Sequence, residues 1–158
     1  MVRPFTIFTA IAAIVALSPM APAQQAGQGT AAEAKAMLVR AIAAVKADKT
    51  KALDMFAKGQ GGFLDRDLYP FCFNSTDGKV HPFANPNGKA LFGRDQRTIK
   101  DAAGDAYGQA IYNAAQKPEG QISEVSYMFP KPGDPKPLPK VSFVTRVGDL
   151  GCGVGYYK

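Results

Sequence analysis

Few residues in this sequence have the type and spacing needed to catalyse a reaction or to bind a metal ion. His81 is the only histidine, and a lone imidazole forms a metal site only with carboxylate or cysteine ligands spaced around it, which this sequence lacks. No serine–histidine–aspartate pattern is recognisable, and the acid pairs Asp65 with Asp67 and Asp101 with Asp105 lie in loop-like sequence, where solvated charges are ordinary. The sequence therefore predicts a protein that binds rather than catalyses, with no catalytic residue, no metal and no cofactor.

The N-terminus predicts export. A basic residue precedes an uncharged apolar run at residues 5–17, and a small-x-small cleavage site, Ala-Pro-Ala, follows the run. The run has 13 residues, whereas a membrane-spanning helix needs about 20. We expect a signal peptide at residues 1–23, a flexible leader at 24–29 and a single domain at 30–158, since 158 minus 23 leaves 135 residues. The mature protein is expected to be periplasmic or secreted, with no membrane span.

Two cysteines, Cys72 and Cys152, remain after the predicted cleavage. In an oxidising compartment an even pair favours a structural disulfide. Two free buried thiols and a redox-active pair are the alternatives. The sequence contains neither a C-x-x-C motif for thiol exchange nor a C-x-x-C-H motif for haem attachment.

The charge distribution argues against nucleic acid as a partner. The formal net charge is +6 and falls to +5 when the single basic residue of the signal peptide is removed. The remaining basic residues are scattered and form no stripe interleaved with aromatic residues. Residues 151–155, Gly-Cys-Gly-Val-Gly, lack the following helix that a phosphate-binding loop needs, so we expect these glycines to allow close backbone approach on a strand.

Hydrophobic periodicity predicts three helices. The first begins at Thr30, which forms a capping box with Glu33, and it carries Leu38 and Val45 on its apolar stripe. Two shorter helices are predicted at residues 51–58 and 105–116.

Alternating apolar and aromatic residues predict five strands, and the first two are joined by a turn at residues 74–78. The proline-rich stretch at residues 130–139 fits a stiff hairpin loop better than a polyproline ligand for a partner. The predicted fold is α+β, with a mostly antiparallel five-stranded sheet, a long helix before it and a helix between the second and third strands. The predicted strands are residues 67–73, 79–83, 122–129, 140–147 and 151–157.

Several stretches of the chain resemble the single Cache domain, an extracellular sensor module related to PAS domains. The sequence Asp-Leu-Tyr-Pro-Phe at residues 67–71 is similar to the motif of the family's first strand, and residues 77–82 are similar to its hairpin, in which an aspartate–glycine turn leads to a histidine. At residues 127–132 a phenylalanine replaces the family's tryptophan. The further similar stretches, in the order of the family, are residues 85–86 with 93–95, 101–104, 139–144 and 153–157.

The resemblance implies a PAS-like fold with a ligand pocket beside the sheet, covered by the loop and helix between the second and third strands. Small carboxylates are among the ligands of related sensors, so Lys140 or Arg146 is implied to bind one by charge-assisted hydrogen bonds; a solvated sheet face is the alternative for both. Tyr127 and Phe129 are implied to form an aromatic wall. His81 matches a family position and is implied to contact the ligand or sense pH, the alternative being a structural histidine.

The resemblance also makes neighbours of the first and last strands, which would let Cys72 face Cys152. Such modules usually sit between transmembrane helices. Here the predicted cleavage and the chain end at Lys158 lead us to expect a free exported protein that presents a small organic ligand to a membrane receptor or another periplasmic protein. Two other functions stay open, namely a ligand-free interaction domain with the same fold and a disulfide redox protein.

Overall fold

The computed structural model describes residues 27–158. The predicted signal peptide, residues 1–23, and the start of the predicted leader lie outside this range. None of the helices within the described range is both long and apolar enough to cross a membrane.

Three α-helices form where the periodicity predicts them: α1 (Ala31–Ala47), α2 (Lys49–Lys58) and α3 (Tyr107–Ala115). The predicted capping box is present, because the Thr30 hydroxyl accepts the Glu33 N–H at 3.0 Å and the Glu33 carboxylate accepts the Thr30 N–H at 2.8 Å. Helix α2 begins two residues before its predicted start. The Asp48 carboxylate caps it, accepting the N–H of the third helical residue at 3.0 Å.

The sheet is antiparallel throughout and has the order β1-β4-β3-β2. Its strands are β1 (Pro70–Asn74), β2 (Ser123–Pro130), β3 (Pro137–Val147) and β4 (Leu150–Tyr157). The proline-rich stretch is the hairpin connection that the sequence predicts, and its ends extend the two strands until Pro130 pairs with Pro137. Strand β2 is one edge of the sheet and β1 is the other.

The sheet has four strands, not the five that the sequence predicts. The predicted second strand, residues 79–83, forms only isolated bridges, from Val80 to Phe73 and from Lys79 to Asp95. The His81 N–H donates to the Cys72 carbonyl at 2.9 Å, but the next pair along this ladder would join Phe83 to Pro70, and Pro70 has no N–H to donate. This segment therefore crosses the end of β1 and then turns into the long connection toward α3.

Two hydrophobic cores lie on opposite faces of the sheet. Helix α1 packs against one face, over β3 and β4, while α3 and the β1–α3 connection cover the other face. The connection contains two short 3₁₀ helices, Pro86–Leu91 and Gln96–Thr98. The α1 core includes Met37, Leu38, Phe56, Phe143 and Leu150, and the α3 core includes Tyr69, Phe73, Phe83, Ile99 and Ile111.

Strands β1 and β4 are joined by a disulfide between Cys72 and Cys152, which are directly paired in the ladder. Both side chains are buried, with 1% and 0% of their surface exposed. A redox function requires an accessible pair, and this pair is enclosed by the α1 core. The bridge therefore ties together two strands that lie 80 residues apart in the chain.

Candidate functional site

A cavity of about 30 Å³ lies inside the α3 core, between the sheet and its cover. We call it the inner cavity. The sheet side contributes mostly aromatic rings and one amino group, from Tyr69, Phe71, Tyr127, Phe129 and Lys140. The cover closes it with apolar side chains and one amide, from Val80, Phe83, Leu91, Gln96, Tyr107 and Ile111.

Lys140 is the only lysine or arginine side chain that lines the inner cavity. It lies on β3, is 2% exposed and donates from Nζ to the Tyr69 hydroxyl at 2.8 Å. Three aromatic rings surround the amino group, with centroids 4.2 Å away for Tyr69, 5.0 Å for Tyr157 and 5.3 Å for Phe129. Such a cage of rings stabilises a cation through the electrons on the ring faces.

Strand β4 makes room for this lysine. Tyr69 precedes β1, and β4 lies between β1 and β3, so the Lys140 side chain has to cross β4 to reach the tyrosine. A Cβ atom at Gly155 would overlap Lys140 Cε and Ser142 Oγ. The close approach that the sequence predicts for the glycines of this strand is therefore found at Gly155, directly beside the inner cavity.

The buried position changes the ionisation of Lys140. Removal from water disfavours the charged form and lowers the pKa of Lys140 from 10.5 to about 7. The Asp67 carboxylate, which is also buried, opposes this shift. Asp67 is held by other contacts, because its Oδ1 accepts the Gly29 N–H at 2.7 Å and its Oδ2 lies 3.7 Å from Lys131 Nζ. Lys140 thus forms no ion pair within the described residues.

Asn85 joins the sheet side of the cavity to its cover. This fully buried amide donates from Nδ2 to the Tyr69 hydroxyl at 2.9 Å and to the Pro130 carbonyl at 2.9 Å. The Tyr157 hydroxyl donates to the same carbonyl at 2.8 Å. Burial raises the pKa of Tyr69 well above its usual value, so its phenol stays protonated and accepts from both Lys140 and Asn85.

Two stacked tyrosines form another side of the inner cavity. The rings of Tyr107 and Tyr127 are parallel within 1°, with centroids 4.4 Å apart. The hydroxyl of Tyr127 shares a hydrogen bond of 2.8 Å with Ser142 Oγ, and burial raises the pKa of both Tyr107 and Tyr127. Both phenols are therefore neutral at physiological pH, and the wall is apolar except at its hydroxyl groups.

A wider and more open groove of about 500 Å³ lies between α3 and the neighbouring strands β2 and β3. We call it the outer groove. The N-terminal part of α3 lines it through Ala106, Tyr107 and Ala110, and β2 lines it through Ser126, Tyr127 and Met128. Tyr107, Tyr127 and Lys140 belong to the lining of both spaces.

Three of the predicted ligand-binding residues, Tyr127, Phe129 and Lys140, meet at the inner cavity. The other two lie elsewhere. His81 Nε2 lies 2.8 Å from Asn74 Oδ1, and partial burial lowers its pKa. Arg146 is exposed near the far end of β3 and donates to the Gly148 carbonyl at 3.1 Å. Neither side chain lines the cavity.

Three further residues at the site, Tyr69, Asn85 and Tyr107, are not among those predicted to bind a ligand. Tyr69 belongs to the first-strand motif, and Asn85 opens the Asn-Pro segment at residues 85–86. Tyr107 lies in the predicted helix at residues 105–116, and helical periodicity does not distinguish a cavity wall from ordinary core packing.

The arrangement can bind a small anion. Within residues 27–158 no group of three or more histidine, cysteine, aspartate or glutamate side chains is placed to hold a metal ion. The inner cavity combines one buried amino group with apolar rings and neutral hydroxyls. This combination of an apolar lining and a few aimed polar groups is typical of a site for a small ligand.

Comparison with known proteins points to one family. The profile of the single Cache domain 2 family matches residues 9–157. No match was found among curated proteins. A methyl-accepting chemotaxis protein from Vibrio parahaemolyticus has a similar structure, with a TM-score of 0.63 and 23% sequence identity over 80% of this chain and 86% of the other.

Two further solved structures share the fold. The periplasmic sensor domain of a chemotaxis protein has a TM-score of 0.56 and 22% identity over 78% of this chain and 87% of the other. A Cache chemosensory domain, solved for its recognition of carboxylic acids, has a TM-score of 0.55 and 22% identity over 78% of this chain and 85% of the other. At these identities the likeness shows a common fold.

Proposed function

The chain belongs to the single Cache domain family, and we propose that it is an exported ligand-sensing domain that binds a small carboxylate in the inner cavity. The observation that carries this proposal is Lys140, a buried amino group with a single hydrogen-bond partner among the described residues. A protonated lysine has three N–H donors. Two of them are available to carboxylate oxygens that enter the cavity.

The electrostatics of the site favour an anion. A buried ammonium without an ion pair is unstable, and its amine tends to lose the proton. A carboxylate beside Nζ forms charge-assisted hydrogen bonds, which are roughly twice as strong as neutral ones. Binding should therefore raise the pKa of Lys140 and draw a proton from solvent at neutral pH. A neutral ligand of the same shape lacks this interaction.

The size of the inner cavity favours a very small acid. A water molecule needs about 10–15 Å³ of such space, so a volume of about 30 Å³ corresponds to about two or three water-sized groups. The rings of Tyr127 and Phe129 can contact a methyl or ethyl group while Lys140 contacts the carboxylate. Formate, acetate and propionate are the acids that fit these limits with small adjustments of the lining.

The similar structures support the same ligand class. One of them is a Cache chemosensory domain that recognises carboxylic acids, and a second is a periplasmic sensor domain. We propose by extension a periplasmic location, which agrees with the predicted signal peptide and with a disulfide, since disulfides persist in oxidising compartments. The partner in this proposal is a membrane receptor or another periplasmic protein, and no catalytic step is included.

A thermal-shift and calorimetry experiment tests the proposal. Formate, acetate and propionate are titrated into the purified protein, with acetamide as a neutral analogue of acetate. The acids are expected to raise the melting temperature with dose, because a ligand that binds only the folded state stabilises it. Acetamide is expected to have no effect.

Variants assign the effect to the site. Lys140→Met is expected to lose the response to all three acids, and the matched surface variant Lys51→Met is expected to keep it. His81→Ala and Arg146→Ala are expected to bind as the unmodified protein does, because both side chains lie outside the cavity. A folded protein that responds to none of the acids would contradict the proposal and favour the ligand-free interaction domain.

A further inference from the structure

We infer that Tyr107 is a specificity-determining residue, whose ring separates the inner cavity from the outer groove and so limits the length of the acid that binds. This inference rests on the proposed function for its ligand class. It concerns the wall of the cavity at Tyr107, which the proposed function leaves undefined.

The position of the ring carries the inference. Tyr107 and Tyr127 line both the inner cavity of about 30 Å³ and the outer groove of about 500 Å³. Their parallel stack, with centroids 4.4 Å apart, fills the space where the two would otherwise join. An acid that fits the inner cavity ends at this stack. A longer acid with its carboxylate at Lys140 has to displace one of the two rings.

The two rings are not held equally. Tyr127 lies on a strand and is fixed by its hydrogen bond of 2.8 Å to Ser142. The hydroxyl of Tyr107 makes no hydrogen bond within residues 27–158, and its ring is positioned by contact with the rings of Tyr127 and Phe129. Tyr107 is also the first residue of α3, whose N-cap, Ala106, supplies no side-chain hydrogen bond. The removable part of the wall is therefore Tyr107.

The outer groove suits the tail of a longer acid. Next to Tyr107 its lining includes the small apolar side chains of Ala106 and Ala110 from α3 and the thioether of Met128 from β2. The carboxylates of Asp101 and Asp105 also line the groove, so an uncharged tail fits it better than a second carboxylate would. Truncation of the Tyr107 ring joins this apolar path to the inner cavity while Lys140 stays in place. The specificity of the site should then extend from acids of one to three carbons to acids of about six carbons.

Hexanoate binding to Tyr107→Ala tests the inference, with Tyr112→Ala as the matched control. Tyr112 lies on the same helix but packs on Phe73 and donates to the Ser75 carbonyl, so it lines neither space. The unmodified protein and Tyr112→Ala are expected to bind acetate at least tenfold more tightly than hexanoate. Tyr107→Ala is expected to bind hexanoate at least as tightly as acetate. Tyr107→Phe is expected to keep the exclusion, because the ring forms the wall.

A second measurement does not depend on any ligand. Reductive methylation with formaldehyde and a borane reports how fast reagent reaches Lys140, and peptide mass spectrometry measures the rate at that residue alone. The rate is expected to rise at least tenfold in Tyr107→Ala and to stay within about twofold in Tyr112→Ala, which controls for general loss of stability. Tyr107→Leu keeps an apolar contact with the core and serves if the alanine variant does not fold.

The outcomes separate this inference from the proposed function. If the unmodified protein binds acetate but Tyr107→Ala and Tyr107→Leu gain neither hexanoate binding nor faster methylation of Lys140, the inference is overturned and the proposed function stands. If no acid binds any variant, yet methylation of Lys140 accelerates only in the Tyr107 variants, the wall is confirmed and the carboxylate function fails.

Discussion

Replacement of Lys140 by methionine is expected to stabilise the folded protein at neutral and acidic pH while it abolishes carboxylate binding. Methionine has nearly the same length as lysine and no charge, so it fills the path across β4 without the penalty of a buried amino group. Residues that evolution keeps only to support a fold do not behave in this way. A variant that is more stable but inactive identifies a residue kept for function.

The expected magnitude follows from the ionisation of Lys140. Burial lowers its pKa from 10.5 to about 7, and each unit corresponds to about 1.4 kcal/mol. The buried charge therefore costs about 5 kcal/mol at acidic pH. Methionine loses the hydrogen bond to Tyr69 and the contacts of the cation with the rings, which together contribute about 2–3 kcal/mol. The net gain in the free energy of unfolding is about 2–3 kcal/mol near pH 6.

The pH dependence of this gain is the sharper test. Between pH values of about 7 and 10 the unfolded chain keeps the Lys140 proton and the folded protein releases it, so the stability of the unmodified protein rises with pH. Lys140→Met lacks this contribution. The excess in the free energy of unfolding of Lys140→Met over the unmodified protein should therefore decrease by about 2–3 kcal/mol between about pH 6 and pH 9.

Urea denaturation near pH 6, 7.5 and 9 measures the difference directly. Lys51→Met is the control, because Lys51 is exposed and its removal should change stability by less than about 0.5 kcal/mol at every pH. A Lys140→Met variant that is less stable than the unmodified protein at pH 6 would refute the reasoning. A stability difference that does not change with pH would refute it as well.

Acetate affinity is expected to be constant between about pH 5.5 and 7 and to fall about tenfold per pH unit above pH 7, because the carboxylate binds protonated Lys140, whose pKa is about 7 in the free protein. Calorimetry measures this profile, and an affinity that stays constant up to pH 9 would exclude the explanation. Gly155→Ala should cost about 1–3 kcal/mol of stability and weaken acetate binding, since the new Cβ overlaps Lys140 Cε. An unchanged melting temperature and unchanged acetate affinity would contradict the path of the Lys140 side chain across β4. Cys152→Ser should remove about 4 kcal/mol of stability by opening a loop of 80 residues, and an unchanged melting temperature would show that the bridge is not structural.

Local sequence signals were sufficient for most elements of the fold. The capping box of Thr30 and Glu33 marked the start of α1, and alternation marked β2, β3 and β4 to within about three residues. The predicted second strand ends after His81. Its first residues do bridge β1, but the next pair in the ladder would need a donor from Pro70, and the alternation of side chains does not report a missing N–H.

The composition of the site was only partly predictable. Tyr127 and Phe129 share a face because of the period of a strand, which the sequence shows directly. Lys140 joins them because the pairing of β2 with β3 places it opposite Tyr127. The pairing of Lys140 with Tyr69 could not be read in this way, because the two residues are 71 positions apart and meet only through the order β1-β4-β3. His81 was predicted to contact the ligand because it matches a family position. Such a match indicates where a residue lies in the fold, but it does not indicate whether its side chain lines the cavity.

In the proposed function, the cost of burying Lys140 is also what would let a carboxylate shift the conformation of the protein. A ligand changes a conformational equilibrium only to the extent that it binds one state better than another. Here the charged form of Lys140 is disfavoured by about 5 kcal/mol without a counter-ion. A carboxylate can recover part of that free energy only in the conformation in which Tyr69, Asn85 and the cover surround Lys140. Asn85 joins Tyr69 to the Pro130 carbonyl at the β2–β3 hairpin. A carboxylate that holds Lys140 against Tyr69 should therefore tighten the connection between the sheet and its cover. We therefore expect amide hydrogen exchange in residues 83–92 and 130–137 to slow on addition of acetate. Exchange there that is unchanged at saturating acetate would show that the ligand fills the cavity without altering its cover.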